Sequence, residues 1–449
     1  MTSIEELALR VQLPAFAGTT LPGDYAALLA EGLGGICYFG SNTADGPGAV
    51  AALSAAILAA NPRAVIAVDE EGGDVTRLHA MDGSPVLGPA ALGAADDLDL
   101  TYETGRLIGA ELAAAGINLD LGPVADVNTN PDNPVIGTRS FGTDPERVAE
   151  HVAAWVHGLQ DAGVAACAKH FPGHGDTAQD SHLALPVIDV DLDTLAAREL
   201  LPFATSVEAG IASVMTSHIV VSAIDPELPA TLSKPVLDLL RERLSYDGVI
   251  VSDALDMAGA SAGRGIPEAA VLSLAAGADL LCIGPDKPVA LVRETQAAIV
   301  DAVRTGRLSE ERLREAGARI AQLRGLDSRQ LEGARRSISV EGELPDLRGA
   351  VVVSVATAAN IAVGEVPWGL LPDRVVAPGE PLTSDRPIVL QVRDAHRRPE
   401  IDTTGAAVVV EWGWPGPYDG SAPRICTRGY SRPGAAAVTE LLREAGWDR

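Results

Sequence analysis

Short apolar runs, each ending in or beside a polar side chain and separated from the next by a longer Ala/Leu-rich stretch, pattern roughly the first 325 residues. They fall at 35–39, 65–69, 117–122, 164–170, 213–218, 249–253 and 279–283, with a briefer one, interrupted by Pro14, at 11–16. The stretches at 102–115, 145–162 and 289–305 are rich in helix formers. This is the rhythm of βα units laid against a parallel sheet. Seven or eight such units fit a (β/α)8 barrel better than an open sheet, although periodicity alone leaves the open form available. The polar ends are Asp69, Asp120, Lys169 with His170, His218 and Asp253. In a parallel barrel these ends share one rim, and active sites form on that rim. A loop hydrogen bond explains any one of them; it explains five together less well.

A helix over 310–326, with Gly325 as a stop signal, closes this first unit. The charged segment 327–347 reads as a linker. A second α/β alternation follows at 350–356, 387–392 and 406–411, with a helix at 434–445, and the Pro/Gly/Asp-containing 371–385 separates its first two strands. The expected fold is therefore α/β: a TIM-like barrel over 1–326, then a small sandwich-like α/β domain over 348–449. Hydrophobic residues make up 47% of the chain, enough for a substantial core. A net charge of −27 argues against nucleic acid or an anionic membrane as partner. No apolar run approaches the roughly 18 residues of a membrane span. The start, MTSIEELALRVQ, lacks the basic patch and short apolar core of a signal peptide. Cys37, Cys167, Cys282 and Cys426 stand far apart, so neither a disulfide framework nor a structural zinc site is expected. A cytoplasmic location follows.

Two segments carry the chemistry. In KHFPGHGDTAQDSH (169–182), imidazoles and carboxylates crowd one loop. Pro172, Gly173 and Gly175 can shape a tight turn whose backbone His174 and Asp176 hydrogen-bond. Metal ligation is the rival reading, but the helical spacing HExxH is absent. Asp180 and His182 form a D-x-H pair in which the carboxylate orients the ring and raises its basicity, as a general acid/base near neutral pH requires. In VIVSDALDM (249–257), an apolar strand ends on Asp253, which can serve as nucleophile, metal ligand or structural cap. Asp256 competes, but a helix starting there turns it away.

KHFPGHGDT followed by DSH, with VDEEGGDVTRL upstream, GPVADVN and RSFG between, and SDALDM downstream, resembles glycoside hydrolase family 3. The nearest group is the bacterial β-N-acetylglucosaminidases, and the motifs keep the family's order over about residues 30–325. The resemblance implies that Asp253 is the nucleophile of a retaining reaction and His182 the acid/base, oriented by Asp180. It implies sugar contacts from Asp69, Arg77, Arg139, Lys169 and His170. It calls for no metal and no organic cofactor, since two protein groups suffice. The expected partner is a small carbohydrate, and the expected assembly a monomer or homodimer.

Two departures stand out. Ala254 occupies a position where many relatives carry a second Asp, and Glu70 one where Gln is common, which adds negative charge near the sugar pocket. The alternatives to a β-N-acetylglucosaminidase are a phosphorylase, for which a neutral imidazole repels phosphate less than a carboxylate would, and a family 3 β-glucosidase. A metal-dependent hydrolase and a silent sugar-binding protein are the readings furthest from it.

Overall fold

The apolar runs pair side by side as parallel strands. The computed structural model describes residues 2–177, 186–261, 263–323, 328–356 and 369–447. The barrel strands are β1 (Gln12–Pro14), β2 (Gly35–Tyr38), β3 (Val65–Val68), β4 (Leu119–Asp120), β5 (Ala165–Phe171), β6 (Ser213–Thr216), β7 (Val249–Ser252) and β8 (Leu280–Gly284). Their order is β1-β8-β7-β6-β5-β4-β3-β2, every pair parallel. Beside the β1/β2 seam the Gly34 N–H donates to the Leu9 carbonyl at 3.1 Å. This is the (β/α)8 barrel that the alternation implies. Each strand is buried along its whole length. Strands covered on both faces read as continuous apolar runs rather than alternating ones.

The surrounding helices begin where capping chemistry places them. Asp97 accepts from the Leu100 N–H to start Leu98–Ala114. Asp144 accepts from the Glu146 N–H to start Pro145–Asp161, with Pro145 at the first helical position. The two helices meet through glycine: a Cβ on Gly158 would lie 2.0 Å from the Tyr102 carbonyl oxygen, and one on Gly105 2.4 Å from that of Trp155. At the opposite end from the rim, the buried Asp279 leads into β8 and takes Arg241, Arg312 and Arg319 on its carboxylate. It also accepts the Ile250 N–H at 3.0 Å. That hub ties the helix Glu310–Gln322 to the barrel floor.

The chain divides into two compact units, Met1–Gly325 and Leu326–Arg449. The second contains β9 (Ser339–Glu341), β10 (Val351–Val355), β11 (Arg374–Val376), β12 (Ile388–Val392), β13 (Val408–Glu411) and β14 (Arg424–Cys426). Their order is β9-β14-β13-β12-β10-β11, with only β9 antiparallel. One apolar layer contains Val352, Val389, Val408 and Val410; the other contains Val353, Leu390 and Val409. The stretch 327–347 is not the plain linker that its charge suggested. It forms a helix, Ser328–Ser337, and the edge strand β9. Arg335 pairs with Glu440 on the helix Arg432–Glu444 at 2.9 Å, and Glu341 pairs with Arg424 of β14 at 2.9 Å. Charge on a half-exposed helix and on an edge strand mimics linker composition. Strand β11 likewise lies inside the turn-rich 371–385. No helix among the described residues is long and apolar enough to cross a membrane.

Candidate active site

At the C-terminal ends of the barrel strands lies a cavity of about 780 Å³, and Asp69, Arg77, Arg139, Lys169, His170 and Asp253 all line it. They are brought together from β3, the loop after it, the 3-10 turn Gly137–Arg139, β5 and the end of β7. Asp180 and His182 lie outside the described residues.

The buried Lys169 organises one wall. Its Nζ stands 2.7 Å from Asp69 Oδ1 and 2.6 Å from Glu71 Oε1. Arg139 grips Glu71 with two bonds of 2.9 and 2.8 Å, the forked geometry that favours arginine over lysine. Arg77 reaches Asp69 Oδ2 at 3.5 Å. Burial alone would raise the Glu71 carboxyl, but Lys169 and Arg139 outweigh it and hold the group well below the usual carboxylate range. Burial likewise opposes the Lys169 ammonium, and Asp69 and Glu71 hold it above its ordinary value. The result is a lattice of fixed charges facing the cavity.

His170 is anchored from behind. Its Nδ1 lies 2.7 Å from Asp126 Oδ2, while Arg139, which can only donate, approaches Nε2 at 3.4 Å. The ring proton therefore sits on Nδ1, directed at Asp126. Asp126 Oδ1 also accepts the backbone N–H groups of His170 at 3.2 Å and His174 at 2.6 Å. The bonds of His174 and Asp176 go to side chains and not to the loop backbone that the segment suggested: His174 Nδ1 meets Thr177 Oγ1 at 2.7 Å, and Asp176 takes Thr129 and Arg198. Burial keeps the His174 imidazole below its ordinary pKa. The loop passes close to its neighbour at Gly175, where a Cβ would sit 1.8 Å from the Val127 carbonyl oxygen.

Asp253 follows β7 directly. Burial works to raise its carboxyl, but His218, His170, the Ala254 N–H and Lys169 together hold it below the ordinary aspartate value. It is ionised at neutral pH. The Ala254 N–H donates to Oδ1 at 2.7 Å.

Three expectations are corrected. Glu70 does not add charge to the sugar pocket. It is buried away from it and accepts the backbone N–H groups of Arg77 at 2.8 Å and Leu78 at 3.1 Å, fixing the loop that presents Arg77. Asp256 does not turn away: the helix starts only at Ala258, and Asp256 lines the cavity, neutralised by Lys287 at 2.7 Å. Asp120 and His218 sit at strand ends but are fully buried beneath the rim. Sequence reasoning also missed Glu71 and Asp126. Asp69 and Glu71 face the cavity while Glu70 faces away, the side-to-side alternation of an extended chain, so the run DEEGG contained the signal. Among the described residues no grouping of His, Cys, Asp and Glu is arranged to hold a metal ion.

A parallel barrel whose rim gathers an ionised aspartate and a lattice of fixed charges in one cavity is an architecture on which glycoside hydrolases are built. Residues 20–323 match the glycosyl hydrolase family 3 N-terminal domain, and the chain belongs to that family. It is 36% identical over 335 residues to β-hexosaminidase A of Pseudoalteromonas piscicida, covering 69% of this chain and 56% of that protein. The chain thus spans little more than half of that relative. It is 38% identical over 271 residues to a β-hexosaminidase of Methylococcus capsulatus, covering 59% of this chain and 80% of that one. Among solved structures, a family 3 β-N-acetylglucosaminidase from Paenibacillus sp. FPU-7 superimposes with a TM-score of 0.69 at 29% identity, covering 99% of this chain and 97% of that chain.

Proposed function

We propose that this chain is a retaining exo-β-N-acetylglucosaminidase that releases terminal β-linked N-acetylglucosamine from cell-wall-derived or related glycoconjugates. The observation that carries this reading is the ionised Asp253 at the end of β7, in one cavity with the Asp69–Lys169–Glu71–Arg139 lattice. Asp253 attacks the anomeric carbon as the glycosidic bond breaks, forming a covalent glycosyl ester that water then hydrolyses, with net retention. Asp69, Arg77, Arg139, Lys169 and His170 hold the sugar ring through its hydroxyls, and charge-assisted bonds of this kind fix orientation as well as affinity.

Protonation of the leaving oxygen is assigned to His182, oriented by Asp180, on the family resemblance. The histidines lining the cavity are poor substitutes. His170 points its proton at Asp126, and His174 is held below its ordinary pKa by burial. The relatives named β-hexosaminidase and β-N-acetylglucosaminidase support N-acetylglucosamine over glucose. A cytoplasmic site of action fits four buried free cysteines. The test is turnover of an aryl β-N-acetylglucosaminide and its glucoside counterpart, with product analysed in the presence and absence of phosphate. Free N-acetylglucosamine of retained anomeric configuration under both conditions is expected. Intact turnover in both Asp253→Ala and His182→Ala sinks the assignment, and release of sugar 1-phosphate replaces hydrolysis with phosphorolysis.

A further inference from the structure

His218 ends an apolar run on the rim yet touches no part of the cavity; it is wholly buried behind it. Its bonds lead back to the nucleophile. Nε2 lies 2.9 Å from the Ala254 carbonyl oxygen. A carbonyl only accepts, so Nε2 carries a proton and donates it there. Nδ1 lies 2.9 Å from Thr231 Oγ1, which lies 2.7 Å from Thr216 Oγ1. Thr216 Oγ1 in turn accepts the Asp253 N–H at 3.4 Å.

The Asp253 N–H donates to Thr216 and His218 Nε2–H to the Ala254 carbonyl, and Thr231 Oγ1, itself anchored on the Ser217 carbonyl oxygen at 2.9 Å, joins Thr216 Oγ1 to His218 Nδ1 between them. The circuit clamps the Asp253–Ala254 dipeptide at both ends. Between those ends the Ala254 N–H holds Asp253 Oδ1 at 2.7 Å. Fixing the dipeptide therefore fixes the plane of the carboxylate. Thr216, Thr231 and His218 are all fully buried, and Gly259 closes over the ring: a Cβ there would lie 2.7 Å from His218 Cβ. Bonds in so dry a setting resist exchange with water and reinforce one another.

We propose that Thr216, Thr231 and His218 are positioning residues that orient the Asp253 carboxylate for attack on the anomeric carbon without touching the sugar. The inference rests on Asp253 being the nucleophile. Breaking the circuit lets the carboxylate rotate, and a misplacement of this kind lowers the bond-forming rate by roughly 10- to 100-fold. Sugar affinity stays nearly as it was, because the Asp69–Lys169–Glu71–Arg139 lattice is untouched.

The test uses the full chain and a 5-fluoro N-acetylglucosaminyl fluoride, which forms the glycosyl ester and releases it slowly. In the parent, peptide mapping must place the label on Asp253; a label elsewhere removes the nucleophile reading and this proposal with it. Thr231→Val, His218→Gln and Thr231→Ser are then compared by the rate constant of labelling per labelled site, which counts only folded protein. The expected result is a 10- to 100-fold fall in that rate constant for Thr231→Val and His218→Gln, with half-saturation within about twofold of the parent. Thr231→Ser, which keeps the hydroxyl, restores the parent rate. If Asp253 is labelled but Thr231→Val and His218→Gln react at the parent rate, only the positioning role is overturned. A shift in half-saturation with no fall in rate overturns it too, since that is the mark of a sugar contact.

Discussion

Glu71→Gln is the sharpest probe of the charge lattice, because it changes charge while nearly preserving shape. Glu71 and Lys169 are each 1% exposed, and Glu71 receives Lys169 at 2.6 Å and two bonds from Arg139. Removing one partner of a buried ion pair costs about 3–5 kcal/mol. Asp69 still holds Lys169 at 2.7 Å, so the lower end, about 3 kcal/mol, is expected at pH 7. The pH dependence gives an independent check. Lys169 and Arg139 depress the folded carboxyl of Glu71, so its stabilisation is fully present above the unfolded value of about 4.3 and is lost as pH falls towards the folded one. Glutamine does not titrate. The stability gap between parent and variant, from urea unfolding, should be constant from about pH 8 to 5.5 and then close by up to about 1.4 kcal/mol per pH unit below pH 4.3. A gap near zero at pH 7, or one that stays flat in acid, refutes the lattice as described. Adding Lys169→Met to Glu71→Gln should cost less than the sum of the two single changes, because neighbours in one network are not additive.

Asp279→Asn leaves three arginines facing a neutral group at the barrel floor. It should destabilise by about 3–5 kcal/mol while kcat and KM stay at parent values; an unfolding midpoint equal to the parent's rules the hub out. Glu199 is fully buried, and burial outweighs Arg198 to push its carboxyl up to about 7. A raised folded value means its stability contribution is present below the ordinary glutamate pKa and lost as pH rises through about 7. Glu199→Gln should therefore gain on the parent by up to roughly 3 kcal/mol between pH 5 and 8, and parallel pH profiles contradict that. Gly175→Ala drives a methyl into the Val127 carbonyl, which should cost about 1–3 kcal/mol. It should also lower kcat/KM by shifting the loop whose His174 N–H shares the Asp126 carboxylate with His170; unchanged kinetics argue against tight coupling there.

The barrel was legible because its strands are covered on both faces, so apolar runs and polar strand ends survive as one-dimensional signals. The rim was legible only in part, and the reason is geometric. Asp69, Lys169 and Asp253 announce themselves as polar groups ending apolar runs, but so do Asp120 and His218, which turn beneath the rim. A strand end fixes a residue's height on the barrel and leaves its direction to the local backbone. Direction was recoverable at DEEGG, where alternation puts Asp69 and Glu71 on one side and Glu70 on the other. It was not recoverable for Asp126, whose partner His170 is 44 residues away and meets it only through pairing of neighbouring strands. That contact has the carboxylate–imidazole form sought in Asp180 and His182, yet its chemistry differs, because Arg139 stands at the ring's other nitrogen. An imidazole whose outward nitrogen faces a guanidinium cannot hand a proton to a leaving group; it can only accept a bond and hold its place. On the proposed reading, gripping the sugar and protonating the leaving oxygen are thus chemically incompatible roles. Losing Lys169 should therefore raise KM on every substrate, whereas losing His182 should slow chiefly those with basic leaving groups and spare those whose leaving oxygen needs no proton.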